Sequence, residues 1–582
     1  MTDQKRMLML GNEAVARGAY EAGCTVATAY PGTPSTEITE YIAQKYDEIY
    51  SEWAPNEKVA LEVAIGASII GARAMCSMKH VGLNVAADPL FTASYTGVGG
   101  GLVICVADDP GMHSSQNEQD TRMLGIASKV MVLEPSDSQE CKDFVKEAFS
   151  LSELFDTPVI VRLSTRVSHS QSIVEIADRN DYTYKKYEKN PLKYVMMPAM
   201  ARKRHVEVVK RLSKIKEFAE SCGLNKIEMN DTKIGVITSG VAYQYAKEAL
   251  PDASFLKLGI VNPLPEKLII EFAEKVEKLY VIEELEPVIE NHCRRLGLEV
   301  IGKEIFTPIG EYSVKMIKEA VLGEKVESFA EVNEEIPLRP PVMCTGCPHR
   351  GVHYILSKLG LVVNGDIGCY TLGAQKPLSS IHTCVCMGAS IGMNHGMEKA
   401  MGKDFSKKSV AIIGDSTFIH SGITGLIDAV YNKGTSTIII LDNSITGMTG
   451  HQDNPATGYT IKGEKTVATD LVKLCQAVGV RRVKVVDPYD LETLEKTIKE
   501  ELNAEEVSVI ISQRPCALLK YVKFSGKKCI DQSLCKKCKA CLRIACPSIS
   551  FKDNMVVIDK NQCVGCGLCQ KVCRFGAILD EE

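Results

Sequence analysis

The sequence predicts an α/β protein in which several doubly wound parallel-sheet domains are followed by a small, cysteine-dense α+β domain. Short strands that are apolar throughout alternate with helix-forming segments, as at 26–30, 102–107 and 159–163. This pattern is typical of parallel sheets covered on both faces. A chain of 582 residues is too long for one hydrophobic core. Eight of the 22 cysteines lie between Cys535 and Cys573, which sets the last segment apart as a separate small domain.

Changes in composition divide the chain into five expected segments. The Lys/Arg-rich stretch after residue 183 is interpreted as a charged helical linker with a solvated face, because no aromatic residues or Gly turns are interleaved as in a nucleic-acid surface. The expected segments are an α/β domain at 1–183, the linker at 184–230, a second α/β domain at 231–335, a third at 336–524 and the cysteine-rich domain at 525–582.

Charge and hydropathy exclude several classes of protein. The net charge of -5 and the pI near 6.2 give no sign of nucleic-acid binding. No signal-peptide pattern follows Met1, and no uncharged stretch is long enough to span a membrane, so we expect a cytoplasmic protein without a membrane partner. In that reducing compartment, 22 cysteines indicate metal binding and not a disulfide framework.

The C-terminal cysteines have the spacing of bacterial ferredoxin motifs. Cys563-x2-Cys566-x2-Cys569-x3-Cys573 is preceded by a near twin whose last gap has four residues. As in two-cluster ferredoxins, each motif is expected to exchange its fourth ligand with the other. A pair of zinc ribbons is the alternative, although zinc sites seldom string four cysteines this tightly twice. The expected 4Fe-4S ligand sets are Cys535, Cys538, Cys541 and Cys573 for the first cluster, and Cys563, Cys566, Cys569 and Cys546 for the second.

An apolar strand that ends at Gly414-Asp415 indicates a diphosphate and metal site. After 25 further residues, 417–441, a second strand ends in Asp442-Asn443. This is the spacing of the thiamine diphosphate motif, with Ser416 in place of its third Gly and a helix expected from near Ser421. Mg2+ prefers oxygen ligands and accompanies diphosphate. The expected ligands are the Asp415 carboxylate, the Asn443 amide and a backbone carbonyl near Ile445; an ordinary strand-turn-helix with a capping Asp is the alternative.

Thiamine chemistry also needs a buried carboxylate beside the aminopyrimidine ring. Glu57 begins an Ala/Gly-rich helix, with Ala at +3 and +7 and Gly at +9, small residues that would allow close helix approach. We therefore predict Glu57 as the activating acid and hold Glu62 in reserve. Both could instead be solvated surface acids, as most Glu residues are.

These residues together resemble the 2-oxoacid:ferredoxin oxidoreductase family over essentially the whole chain, most closely the large subunits of its indolepyruvate-type enzymes. Tyr30-Pro-Gly-Thr33-Pro-Ser-Thr-Glu37 is similar to the start of the family's pyrimidine domain, where the Thr contacts substrate. Cys344-Thr-Gly-Cys347-Pro-His349-Arg-Gly351 and Gly365-Asp366-Ile-Gly-Cys369-Tyr-Thr-Leu-Gly373 are similar to the start of its diphosphate domain.

The resemblance implies a function for each segment. The α/β domains would be of thiamine-diphosphate-enzyme type: a pyrimidine-binding domain at 1–183, a transketolase C-terminal-like domain at 231–335 and a diphosphate/Mg-binding domain at 336–524, with a two-cluster ferredoxin domain at the end. Thr33 would contact the substrate. His349, Gly365, Asp366, Gly414 and Asp415 would contact the cofactor.

The same resemblance implies a possible third 4Fe-4S cluster beside the thiamine. Relatives with such a cluster take its ligands from a Cys-x2-Cys, a Gly-Ile-Gly-Cys turn and a late Pro-Cys. The matching residues are Cys344, Cys347, Cys369 and Cys516. The alternative is that these four are thiols packed around the cofactor.

The implied reaction is oxidative decarboxylation of an arylpyruvate, with electrons passing through the clusters to ferredoxin and the acyl group passing to coenzyme A. A smaller β subunit would supply a family domain absent here, giving a hetero-oligomer of two α and two β subunits. Another 2-oxoacid as substrate, a non-oxidative thiamine decarboxylase and a non-enzymatic electron relay remain alternatives, because the substrate rests on resemblance alone.

Overall fold

The computed structural model describes residues 5–327, 334–337, 339–524 and 526–581, in two compact units, Met1–Asn333 and Glu334–Glu582. The predicted boundaries at residues 1, 525 and 582 lie outside the described residues. The other predicted domain boundaries stay predictions, because the division into two units does not test a division into five segments.

The first unit alternates strands and helices, as the sequence predicts. Its elements are, in chain order, β1 (Arg6–Leu10), α1 (Gly11–Glu21), β2 (Val26–Ala29), α2 (Thr36–Lys45), β3 (Tyr50–Trp53), α3 (Glu57–Ile69), β4 (Ala74–Lys79), α4 (His80–Val85), α5 (Ala87–Thr96), β5 (Leu102–Asp108), α6 (Thr121–Ser128), β6 (Met131–Leu133), α7 (Ser138–Phe155), β7 (Val159–Ser164), α8 (Thr165–His169), β8 (Gln171–Glu175), α9 (Pro191–Tyr194), α10 (Pro198–Ala219), β9 (Lys226–Glu228), β10 (Asp231–Ser239), α11 (Gly240–Ala249), β11 (Ala253–Leu258), β12 (Ile260–Asn262), α12 (Glu266–Ala273), β13 (Lys278–Ile282), α13 (Val288–Arg295) and α14 (Val314–Leu322).

A seven-stranded sheet in the order β12-β6-β7-β5-β4-β2-β3 forms the centre of this unit, and all its strands are parallel except the edge strand β12. Both faces are covered, since alternate residues of β5 belong to two different cores. Val103 and Cys105 pack into one, while Leu102 and Ile104 pack into the other. Burial on both faces explains why the strands are apolar throughout.

Two smaller sheets complete the first unit. One has the order β13-β10-β11-β9 with antiparallel β9, and the other is the antiparallel pair β1-β8. The charged segment predicted as a linker contains α10, a helix of 22 residues. Its apolar side is buried at Val208, Ile215 and Ala219, so this helix packs on the unit while its charged side faces solvent.

The second unit contains another α/β layer and then the cysteine-rich segment. Its elements are α15 (His349–Leu359), β14 (Val362–Asn364), a 3-10 helix (Cys369–Ala374), α16 (Ala389–Met401), α17 (Lys403–Ser406), β15 (Ser409–Gly414), α18 (Asp415–Thr417), a π-helix (Phe418–Gly422), α19 (Ile423–Tyr431), β16 (Thr437–Asp442), α20 (Leu471–Ala477), β17 (Arg482–Val486), α21 (Leu491–Glu501), β18 (Ser508–Gln513), β19 (Lys528–Ile530), a second 3-10 helix (Ala540–Ile544), β20 (Ile549–Lys552), β21 (Met555–Ile558), α22 (Leu568–Val572) and β22 (Ile578–Asp580).

The α/β layer is a five-stranded, fully parallel sheet in the order β14-β15-β16-β18-β17. Ile412 and Ile439 pack into the core on one face, whereas Ile413 and Ile440 pack into the core on the other. The helix expected from near Ser421 begins earlier, at Asp415. It continues without a break through the π-helix into α19. Gly414, the last residue of β15, is still extended, and the helical backbone starts at the next residue.

The cysteine-rich segment forms two antiparallel strand pairs, β19-β22 and β20-β21. Its small core includes Ile544, Val556, Leu568 and Ile578. Such a short segment has little apolar area to bury, so bound clusters would add to its stability. Among the described residues of both units, no helix is both long and apolar enough to cross a membrane.

Candidate active site and cysteine clusters

Asp415 and Asn443 follow adjacent parallel strands at the same edge of the second unit's sheet. Gly414 of β15 is in register with Leu441 of β16, so the two turns meet there. Asp415 is buried, and its Oδ2 has no hydrogen-bond partner among the described residues. Burial, together with the nearby Asp442 carboxylate, raises the pKa of Asp415 to about 8. A buried carboxyl with an unused oxygen fits a divalent cation, which would favour its ionised form.

The neighbours of this pair are already engaged in hydrogen bonds. The Asp442 carboxylate accepts from the Ser444 backbone N–H at 2.9 Å and from Gln513 Nε2 at 2.8 Å. Asn443 is buried, with Nδ2 3.5 Å from His349 Nε2, and Ile445 is buried as well. The Asp442 carboxylate is thus held by hydrogen bonds, whereas Oδ2 of Asp415 has no hydrogen-bond partner among the described residues.

Asp366 and His349 frame the same sheet edge. The Asp366 carboxylate accepts backbone N–H groups from Gly388 at 2.8 Å and Ser390 at 3.0 Å, and thereby caps the N-terminus of α16. Gly365 pairs through its N–H with the Thr383 carbonyl at 2.7 Å. Burial lowers the pKa of His349 to about 4, so the imidazole is neutral near pH 7. Its ring meets Tyr370 edge to face, with ring centroids 5.8 Å apart.

In the first unit, the two candidate acids differ in burial. Glu57 is the first residue of α3, behind the Asn56 cap, and its side chain is buried. It lies against Gly82, where an added Cβ would come within 2.6 Å of Glu57 Cγ. Glu62 is exposed and forms an ion pair with Lys58. Burial therefore favours Glu57, because a carboxylate that activates an aminopyrimidine must lie away from bulk water.

The small residues after Glu57 are only partly used within this unit. Ala60 and Ala64 are buried, as expected for a close approach of neighbouring elements. Gly66 is exposed, and an added Cβ would meet nothing within 4 Å. The close helix approach expected at Gly66 is therefore absent among the described residues of the first unit.

Thr33 lies in a half-buried turn, and Ser114 connects this turn to Lys79. The Thr33 carbonyl accepts from Ser114 Oγ at 3.1 Å, and Lys79 Nζ donates to the Ser114 carbonyl at 2.7 Å. Burial lowers the pKa of Lys79 to about 8 even though Asp109 lies 4.0 Å away. No sequence motif singles out Lys79, since it ends an apolar strand 46 positions from Thr33.

The first predicted cluster set is brought together near the surface. Burial raises the pKa of the Cys541 thiol, and the other three predicted ligands, Cys538, Cys573 and Cys535, raise it further by charge repulsion. Cys538 is exposed and the other three are partly exposed. Cys573 of the second motif therefore lies close to Cys541 of the first motif, and the shared cluster stays a prediction.

The second predicted set lines one cavity. Its walls include Cys546, Cys563, Cys566 and Cys569 together with Thr345 and Gly346. Burial raises the pKa of Cys569 to about 12, and the other three cysteines add to the shift. In the described parts of the chain, no three His, Cys, Asp or Glu side chains form a group suited to a single metal ion.

The four cysteines predicted to hold a third cluster also lie together. Burial raises the pKa of Cys347 to about 12, with further contributions from Cys369 and Cys344. Cys369 interacts in the same way with Cys516. The Cys516 backbone N–H donates to the Asn443 carbonyl at 2.9 Å, so this group of thiols adjoins the predicted metal ligand.

Two residues that the sequence did not single out connect these groups. Arg350 is buried and donates to the carbonyls of Cys344 and Ile544, both at 3.1 Å. Tyr489 OH donates to the Gly346 carbonyl at 2.5 Å. Arg350 lies inside the Cys344–Gly351 motif, which could have drawn attention to it. Tyr489 lies in a polar loop and carries no comparable signal.

Family models match three parts of the chain. Residues 17–220 match the thiamine-diphosphate-binding domain of pyruvate flavodoxin/ferredoxin oxidoreductases, residues 366–512 match the C-terminal TPP-binding domain of thiamine pyrophosphate enzymes, and residues 556–579 match a 4Fe-4S binding domain. An indolepyruvate oxidoreductase subunit IorA of Archaeoglobus fulgidus is 42% identical over 611 residues, which cover 99% of this chain and 97% of the relative. The chain belongs to the 2-oxoacid:ferredoxin oxidoreductase family.

Other members of this family differ in how much of the chain they cover. An IorA subunit of Methanothermobacter marburgensis is 40% identical over 99% of this chain and 97% of its own length. A 2-oxoglutarate synthase subunit KorA of the same organism is 27% identical and covers 51% of this chain and 95% of the relative. The solved 2-oxoglutarate:ferredoxin oxidoreductase of Magnetococcus marinus matches with a TM-score of 0.46 at 19% identity, over 56% of this chain and 66% of that one.

As a 2-oxoacid:ferredoxin oxidoreductase, the protein carries out thiamine-diphosphate-dependent oxidative decarboxylation of a 2-oxoacid with iron-sulfur electron transfer. The 4Fe-4S match spans Cys563, Cys566, Cys569 and Cys573, which favours iron-sulfur ligation over zinc ribbons.

Proposed function

We propose that this protein is the catalytic subunit of an enzyme that converts arylpyruvates, such as indolepyruvate and phenylpyruvate, to aryl-acetyl-CoA and passes the electrons to ferredoxin. The full-length relatives named as indolepyruvate oxidoreductase subunits support the substrate class. The observation that carries the proposal is that the predicted metal ligands adjoin a group of thiols. Asp415 and Asn443 lie at one sheet edge, and the Cys516 N–H donates a hydrogen bond to the Asn443 carbonyl.

Each candidate residue has a defined task in this proposal. Thiamine diphosphate, when bound, supplies the carbon nucleophile and the electron sink for decarboxylation. Asp415, Asn443 and the Ile445 carbonyl would hold Mg2+ and the diphosphate. Glu57 would hold a proton at the aminopyrimidine, and the hydroxyl of Thr33 would orient the 2-oxoacid.

The three cysteine groups suggest an order of electron transfer. Cys344, Cys347, Cys369 and Cys516 adjoin the metal ligands, and the second set lines a cavity that also contains Thr345 and Gly346. The first set includes the exposed Cys538. Electrons would therefore leave the cofactor singly, pass from the third to the second set, and exit through the first.

The proposal includes partners. A smaller β subunit would complete the enzyme in a complex of two α and two β subunits, and coenzyme A would accept the acyl group. The basic C-terminal segment suits an acidic ferredoxin, since ten Lys/Arg stand against six Asp/Glu from residue 525 onward. We place the complex in the cytoplasm.

Anaerobic purification with the partner subunit, followed by ferredoxin or viologen reduction, tests the proposal. Indolepyruvate, phenylpyruvate, pyruvate and 2-oxoglutarate are assayed in parallel with and without coenzyme A. We expect CoA-dependent reduction with the two aryl substrates at the highest kcat/KM. Faster turnover of pyruvate or 2-oxoglutarate would reject the aryl assignment, and CO2 release without electron transfer would indicate a non-oxidative decarboxylase.

A further inference from the structure

Lys79 is a buried cation at the edge of the first unit's sheet where Thr33 lies. It is the last residue of β4, and only 7% of it is exposed. Ala29 of β2 is in register with Ser77 of β4, so the turn after β2 and the end of β4 meet at the same edge. A Cβ added at Gly32 would lie 3.2 Å from Lys79 Cβ. The Lys79 side chain therefore packs directly against the residue that precedes Thr33.

The Lys79 ammonium has no carboxylate within hydrogen-bond distance among the described residues. Its Nζ donates to the carbonyl of Ser114 at 2.7 Å and to the Ser114 hydroxyl at 3.1 Å. Oδ2 of Asp109 lies 4.0 Å away and already accepts from the Ser114 backbone N–H at 2.8 Å and from the Ser115 hydroxyl at 2.5 Å. An ammonium has three donors, so these contacts leave one donor unused.

An unused donor on a buried lysine is unusual. Buried lysines are normally paired with an acid, because an uncompensated charge is costly to remove from water. Arg162, a buried arginine of β7, is paired in this way, since its Nε donates to Asp108 at 2.6 Å and its Nη1 donates to Glu134. Ser114 is exposed, so the Lys79 ammonium lies close below the surface of the unit, where an anion could reach it.

The segment that carries Lys79 also contacts the predicted activating acid. The helix α4 begins directly after Lys79, and a Cβ added at its Gly82 would come within 2.6 Å of Glu57 Cγ. Lys79 therefore links the Thr33 turn to the helix that packs on Glu57. An arylpyruvate held by Thr33 beside a cofactor that Glu57 activates would bring its carboxylate into this region.

We propose that Lys79 binds the carboxylate of the 2-oxoacid through the ammonium donor that Ser114 leaves unused. An ammonium that donates to a carboxylate away from bulk water forms a strong, charge-assisted hydrogen bond, so it would select acids over neutral ketones. The carboxylate loses its charge as CO2 leaves. The cation therefore stabilises the bound substrate at least as much as the transition state, and its loss should raise KM far more than it lowers kcat. This inference rests on the proposed function.

Lys79→Gln tests the inference, because it removes the charge and keeps a hydrogen-bond donor. The probe is 3-phenylpropionate, which has the phenylpyruvate skeleton without the keto group, and 3-phenylpropanamide is its neutral counterpart. Calorimetric titration of the complex with its partner subunit should show at least about tenfold weaker binding of the acid in the variant and no change for the amide. The KM for phenylpyruvate should rise by a similar factor, with unchanged iron content and thiamine diphosphate affinity.

Lys303→Gln is the matched control. Its Nζ also donates to a carbonyl and a hydroxyl, those of Glu283 at 2.6 Å and Tyr312 at 2.9 Å. Lys79→Met, which is similar in length and uncharged, is the second variant in case Lys79→Gln does not fold.

Three results would overturn the inference. The first is a wild type that binds the acid no more tightly than the amide, which needs no variant. The second is a folded Lys79 variant with wild-type affinity and KM, and the third is an equal loss of acid and amide binding, which would indicate a structural role. Failure of the proposed function would differ from all three, as a wild-type complex that binds the acid through Lys79 but reduces no acceptor with any 2-oxoacid.

Discussion

The backbone N–H of Cys516 donates a hydrogen bond to the backbone carbonyl of Asn443, with 2.9 Å between nitrogen and oxygen. The Asn443 side chain is a candidate metal ligand, and the Cys516 thiol is a candidate cluster ligand. Because one hydrogen bond joins their backbones, a cluster bound at Cys516 would lie next to the predicted diphosphate site in space. This short connection is what single-electron oxidation at the cofactor requires.

Replacement of Cys516 by Ala should remove the third cluster and leave the other two. We expect about twelve iron atoms per chain in the wild type and about eight in the variant. Iron analysis of anaerobically purified protein measures this, with Cys529→Ala as control because Cys529 is partly exposed on β19 and outside all three sets. About eight iron atoms in the wild type would exclude the third cluster.

Asp415→Asn should weaken binding of Mg2+ and thiamine diphosphate by at least about a hundredfold, because a neutral amide cannot replace the carboxylate that faces the cation. Calorimetric titration of the apoprotein measures the loss. Iron content should be unchanged, since Asp415 is not near the ferredoxin motifs in sequence. Asp404→Asn is the control, an exposed acid that pairs only with Lys407 among the described residues. Normal cofactor affinity in Asp415→Asn would contradict the assignment of Asp415 as a metal ligand.

Glu57→Gln should reduce kcat by about a hundredfold or more while cofactor affinity changes little. The amide has nearly the same shape, so packing against Gly82 is kept, but the carboxylate that favours the reactive tautomer is lost. Steady-state kinetics with viologen as acceptor measure the effect. Glu62→Gln should retain full activity, because Glu62 is exposed and pairs with Lys58. Equal losses in the two variants would reject the assignment.

These two acids show what the sequence could and could not predict. Strand patterns, the Gly414-Asp415 turn and the doubled cysteine spacing are local features, so the sheets, the meeting of Asp415 and Asn443 at one sheet edge and the ferredoxin segment could be predicted. The choice between Glu57 and Glu62 depends on Gly82, a contact 25 residues away along the chain. The contact made by Tyr489 could not be predicted for the same reason, since its hydroxyl donates to the Gly346 carbonyl, 143 residues away along the chain.

Ferredoxin should bind less tightly as ionic strength rises, because exposed cations flank the ligands of the first set. Lys536 follows Cys535, and Arg574 follows Cys573; both side chains are exposed. Lys536→Glu and Arg574→Glu should each raise the KM for ferredoxin several-fold and leave viologen reduction unchanged. Lys203→Glu, an exposed change on α10 of the first unit, is the charge-matched control. A KM independent of salt in the wild type would reject electrostatic docking.

Glu284 should make stability fall as pH rises toward neutrality. Burial raises its pKa to about 7, from an ordinary value of 4.5. The folded state therefore keeps a proton that the unfolded state releases, so the stabilisation present below about pH 4.5 is lost progressively up to about pH 7. Glu284→Gln keeps an oxygen for the Tyr312 N–H, 2.9 Å away in the wild type, and removes the charge. We expect the variant to exceed the wild type in stability by roughly 2 kcal/mol at pH 8 and by much less at pH 5.5, measured as the difference in Tm at each pH. Glu286→Gln, an exposed neighbour, should show no such dependence, and a Tm difference that is the same at both pH values would contradict the assignment.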